Sequence, residues 1–189
     1  NPTSYKMNIL GICTLFVVLS LGDATSPPII TPTCILNIIE YARKNYLESM
    51  ANYMEGLVYR ELDVDDKCTM FMGDNDAFNE LVPAGRADPF TLSFELGEKM
   101  VKNQIVVGQI RVKEGEKYTS INGHRFTYKN STIKSKMDKK PIAVLDKNPE
   151  GFCATEGNLY LVSRFTGITK QDVEKVYKNE APIMPYGNY

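Results

Sequence analysis

The chain has no tryptophan, a single histidine and only four cysteines in 189 residues. One imidazole and no CxxC pair leave a zinc site without its converging ligands and a Ser-His-Asp type centre with one available base. The GxSxG, HExxH and P-loop patterns are absent as well. Charge of one sign is not in excess, since 22 basic residues face 23 acidic ones for a net of −1. That balance gives no pull toward nucleic acid or an anionic membrane. Long apolar runs are also missing, because the longest, Ile9 to Leu21, falls short of the about 20 residues a membrane span needs. A non-enzymatic protein with no catalytic residue, no cofactor and no metal is therefore expected, without a membrane span once its leader is removed.

What is present begins with that leader. Lys6 precedes the Ile9–Leu21 run, and small residues follow at Gly22 and Ala24, the layout of a secretory signal peptide starting at Met7. Residues 1–24 are read as leader, with an uncleaved signal anchor as the competing reading. Removing them takes Lys6 and Asp23 together, so the net charge stays at −1. Cys34, Cys68 and Cys153 then remain in a secreted, extracellular protein, where thiols tend to pair. One bridge and one leftover thiol are expected. Cys68 with Cys153 is the favoured pair because both flank apolar strand-like runs; three buried free thiols are the alternative. Asn130-Ser131-Thr132 is an N-glycosylation sequon in a polar, lysine-rich setting.

Residues 25–32 are proline-rich and read as an extended segment, with Thr31 and Pro32 suited to open a helix. Ile35, Ile38, Ile39, Ala42, Tyr46 and Met50 recur at spacings of three and four, an apolar stripe on one helix or on two broken near Asn45. "CTMFM" reads as a strand, "DAFNEL" as one or two helical turns, and "FTLSFELGEKMVKN" as an amphipathic helix. From Gln104 the runs become short and rich in Ile, Val, Tyr and Thr, with Asn122-Gly123 marking a hairpin turn. Thr169 and Asp172 suggest a capping box for a last helix ahead of a loose tail, the segment 169–189. Helices first and strands later imply an α+β fold.

Three acidic or histidine features invite chemistry. Asp74, Asn75, Asp76 and Glu80 are oxygen donors for calcium, but EF-hand spacing is missing and a helix cap is the simpler role. Asp65 and Asp66 could serve as the acid pair of a hydrolase, yet a run of acids in a loop reads as a solvated segment. His124 follows the Asn-Gly turn and is read as exposed to solvent.

"TMFMGDNDAFNEL" resembles the first signature of fasciclin-like domains, with Thr69, Phe71, Asp74, Asn75, Ala77 and Phe78 at matching places. "MVKNQIVVGQIRV" resembles that family's helix end and strand at Val106, Val107, Gly108 and Gln109. "YTSINGHRFTY" is similar to the strand that follows, and "CATEGNLYLVSRF" to the closing signature at Ala154, Thr155 and Gly157. The resemblance covers residues 33–168. It implies a wedge of two packed β-sheets surrounded by helices, with Phe71 and Phe78 pointing inward, and a role in cell adhesion or extracellular matrix. The partner would be an extracellular protein or a matrix or cell-surface component. The family's partner-binding positions correspond to Asn103 and Gln104 and to Gly151 and Phe152. None of these is the tyrosine, histidine or aspartate of the family, which speaks against integrin binding. The alternative is a secreted carrier of small apolar ligands on a lipocalin-like barrel, suggested by the many short strands and opposed by the missing tryptophan and the helical first third.

Overall fold

A computed structural model describes residues 33–58 and 67–179. The leader, the 25–32 segment with Thr31 and Pro32, Asp65, Asp66 and the last part of the tail lie outside the described residues.

Helices α1 (Thr33–Lys44) and α2 (Glu48–Val58) form the first layer. They are two helices because Tyr46 adopts a left-handed conformation, φ 60°, between them. That turn throws Tyr46 out to 84% exposure, so it does not belong to the apolar stripe. Ile35, Ile38, Ile39, Ala42 and Met50 do, and all are buried.

Strand β1 (Cys68–Gly73) is buried along its whole length. Helix α3 (Asn75–Leu81) starts on Asp74, whose carboxylate accepts the Ala77 N–H at 2.8 Å. The expected second amphipathic helix is split: α4 (Pro89–Leu92) and α5 (Phe94–Lys102) meet at Ser93, whose extended backbone ends one and whose hydroxyl caps the other. Six strands follow: β2 (Ile105–Val107), β3 (Lys117–Thr119), β4 (Arg125–Lys129), β5 (Thr132–Ser135), β6 (Ile142–Lys147) and β7 (Gly157–Val162). Helix α6 (Lys170–Asn179) closes the described chain. It starts on the expected box, with the Thr169 N–H and hydroxyl donating to Asp172 at 2.9 and 2.6 Å.

The seven strands form one sheet in the order β2-β1-β7-β6-β5-β4-β3, mixed in sense because β1 and β7 run parallel. In a flat sheet the four steps from β1 to β4 would separate their residues by roughly 19 Å. Instead the rings of Phe71 on β1 and Phe126 on β4 lie 4.9 Å apart. The sheet therefore curls until it is nearly barrel-shaped, and the Ile121 N–H donates to the Ile105 carbonyl at 2.8 Å across the closing edge.

Curling makes two cores from the alternation of side chains along each strand. Phe71, Tyr118, Phe126, Ile133, Ile142, Tyr160 and Val162 fill the inside of the curl. Met70, Met72, Ile105 and Leu159 point the other way, against α1, α2, α5 and Val173 of α6. Strand β1 lies between the two, which is why "CTMFM" is an apolar run rather than an alternation. Phe71 is buried as expected, whereas Phe78 is half-buried, resting on Phe90 and Phe165.

A disulfide joins Cys34 to Cys68, and Cys153 is disulfide-bonded as well. The favoured Cys68–Cys153 pairing is therefore wrong: α1 crosses the start of β1 and brings Cys34 over it. Gly157, the first residue of β7, lies directly beneath, where a Cβ would stand 3.3 Å from Cys34 Cβ and 2.8 Å from the Cys68 carbonyl. No free cysteine is present among the described residues, so the leftover thiol is absent too.

Candidate functional site: a basic face on strands β3 to β5

Tyr118, Phe126 and Ile133 point into the curl, so their neighbours along β3, β4 and β5 point outward. Register sets those neighbours side by side. Lys117 and Lys134 both stand opposite Thr127, and Arg125 stands opposite Thr119. Because a threonine separates Lys117 from Lys134, two like charges are held about 10 Å apart, at twice the strand spacing, instead of meeting on adjacent strands. These side chains line an open groove of about 590 Å³ together with Lys136, and no carboxylate lines it.

Beyond the groove runs the β5–β6 loop, "KMDKK". Lys136, Lys139 and Lys140 are exposed, and no carboxylate among the described residues lies within ion-pairing distance of them. Asp138 is withdrawn: its side chain is 5% exposed, accepting the Gly167 N–H at 3.2 Å and the Ser135 hydroxyl at 2.6 Å. A second cleft of about 360 Å³ adjoins this loop, lined by Lys139, Lys140, Arg164 and Lys170, by the exposed carboxylate of Glu80 and by the apolar Phe165 and Ile168. Met137 borders both depressions.

His124 lies under this region and is 7% exposed, which corrects the expectation of a solvated turn residue. A turn does form here, but its central residues are Ile121 and Asn122, with the Gly123 N–H donating to the Ser120 carbonyl at 2.8 Å and Gly123, φ +76°, following it. Asn122 and Gly123 are exposed, and the β7–α6 loop packs on His124 instead. A Cβ on Gly167, which has φ +64°, would sit 2.8 Å from His124 Nδ1. His124 Nε2 has no hydrogen-bond partner among the described residues and lies 3.8 Å from Asp138 Oδ2. Burial pushes the imidazole below its ordinary 6.5; Asp138 pulls it back up and Lys99 pushes it further down.

The other expected positions divide. Asn103 and Gln104 are buried and spend their side-chain polar atoms internally. Gln104 accepts the Gly73 N–H at 2.9 Å and donates to the Met100 carbonyl at 3.0 Å. Asn103 donates to the Gly167 carbonyl at 3.3 Å and accepts from Asn122 at 2.9 Å. They join the closing edge of the sheet and offer no surface to a partner. Gly151 is exposed with φ +87°, and Phe152 beside it is half-buried, edge-on to Tyr41 at 6.0 Å. The two pairs are not brought together by any contact described. Asn130 and Ser131, φ 50° and 52°, form the exposed two-residue turn between β4 and β5, so the sequon sits at the tip of the hairpin that carries Lys134. Among the described residues no group of three His, Cys, Asp or Glu side chains could hold a metal ion, and Asp74 is occupied as a cap. No helix among them is long and apolar enough to cross a membrane.

The basic face left one trace in the sequence, four lysines among residues 134–140, which the near-zero charge of the whole chain conceals. Lys117 and Arg125 left none, because only strand pairing places them beside that run. Compared with known proteins, the chain matches no family model and no curated protein significantly.

Proposed function

We propose that this protein is a secreted, non-enzymatic binding protein with a fasciclin-like fold, a wedge of two packed sheets within the curled one, acting in cell adhesion or matrix association. The observation that carries the reading is topological. The four segments that resemble fasciclin signatures, scattered between residues 69 and 165, become β1, β2, the β3–β4 hairpin and β7 of one sheet. The Cys34–Cys68 disulfide is compatible with an oxidising, extracellular compartment.

The carrier reading finds less support. A lipocalin-like barrel would be antiparallel throughout and open inside, whereas β1 and β7 are parallel and Phe71 stacks on Tyr160 at 5.1 Å within the curl. Purified protein, with and without a glycan at Asn130, is tested for attachment to cells and to deposited matrix. Saturable attachment at micromolar protein supports the proposal; none in either form overturns it.

A further inference from the structure

We infer that the outer face of β3–β5 and the lysine loop beside it form a docking surface for a linear sulfated polysaccharide. This inference rests on the extracellular reading above and gives its partner a chemistry.

Charge placement points to a polyanion. Lys117, Arg125, Lys134, Lys136, Lys139 and Lys140 continue from the groove into the adjoining cleft; Asp138 within that run is turned inward by Gly167 and Ser135, which leaves Glu80 as the exposed acid lining the cleft. The surface is thus more basic than its own sequence, and this happens in a chain whose net charge is −1.

Spacing points to a polymer. Lys117 and Lys134, about 10 Å apart at the backbone on an open face, are placed to meet successive charges of an extended chain, with Arg125 and Lys136 beside them. Interspersed Thr119 and Thr127 add hydroxyls that can bond to sugar and sulfate oxygens. Strand register fixes Lys117, Arg125 and Lys134 relative to one another, and none of the six cations is in an ion pair among the described residues. Sulfate suits the site better than carboxylate, since it offers three acceptor oxygens where a carboxylate offers two. A disulfide-bonded extracellular chain meets such polymers before it meets nucleic acid.

Heparin serves as the probe. The full chain is titrated with it at about 0.15 M salt and at higher salt, alongside hyaluronan, duplex DNA and vesicles containing phosphatidylserine. Saturable heparin binding that weakens steeply with salt is expected, through release of condensed counterions. Lys134→Gln with Lys136→Gln should weaken it about tenfold or more. Lys44→Gln with Lys178→Gln, the same change in charge on α1 and α6, should leave it within about twofold. All variants are first shown to unfold at the wild-type midpoint.

Absence of heparin binding, or equal losses in the two double variants, overturns the inference. Equal or tighter binding of DNA or vesicles through the same lysines also overturns it, in favour of those partners, and equal binding of hyaluronan removes the preference for sulfate. Protein that attaches to matrix without binding heparin sinks this inference and leaves the proposed function standing, whereas failure to attach at all sinks the proposed function.

Discussion

Phe71 and Phe78 occupy matching places in the sequence resemblance, seven residues apart, yet only one is enclosed. Phe71 is 1% exposed between Tyr160 and Phe126, so Phe71→Ala should cost about 3–5 kcal/mol, the range for emptying a buried phenyl site. Phe78→Ala should cost less, because the half-buried site opens to water rather than leaving a void; chemical denaturation of both variants gives the comparison. His124 provides a second test. Its folded pKa lies below the ordinary value of 6.5, so as pH falls through that value the unfolded chain takes up the proton first. Stability is then fully present above about pH 6.5 and declines below it. Unfolding midpoints measured from pH 8 to pH 5 should show this fall, and His124→Gln should flatten it. Asp138→Asn removes the charge that partly supports the imidazolium and should steepen it.

At the scale of elements, local side-chain chemistry sets where several helices start. Asp74, Ser93 and Thr169 each sit at a helix start, two as caps with a side-chain acceptor and one in a reciprocal pair with Asp172, and this chemistry needs only neighbours in sequence. Asp172 also holds Lys99 at 2.8 Å, tying α6 to α5. Burial raises the pKa of its carboxyl, but hydrogen bonds from Lys99 and Thr169 outweigh that and hold it below the ordinary value. The break between α1 and α2 is different: a tyrosine, not a glycine, takes the left-handed position, and its ring is exposed. Tyr46→Gly should therefore raise stability by about 0.5–1 kcal/mol, since the strain of a β-carbon there is relieved and no packing is lost. A lower thermal midpoint than wild type would show that the freedom glycine adds to the unfolded chain outweighs the relieved strain.

For the molecule as a whole, the two cores share β1 and β7, whose successive side chains enter opposite sides. Neither core can be dismantled while the other keeps its strands, so far-UV and tyrosine near-UV signals should give one coincident unfolding transition. The disulfide closes a loop with a sequence separation of 34, and the chain-entropy relation assigns such a closure about 3–4 kcal/mol. Cys34→Ala with Cys68→Ala should lower stability by about that amount and leave the transition single. Two separate transitions would mean that the curl and its helical cover are independent bodies.

The sequence by itself determined the α+β class, the approximate position of most helices, a turn between β3 and β4 and the strand β1. All of these follow from periodicity, capping and turn chemistry within a few residues. Only the tertiary structure decided that Cys34 and not Cys153 meets Cys68, that His124 is buried, that Asn103 and Gln104 face inward, and that Lys117 joins Lys134 across Thr127. Each of those depends on which distant segments the curl of the sheet brings together, and a curl is produced by packing across the whole core, which no local stretch of residues encodes.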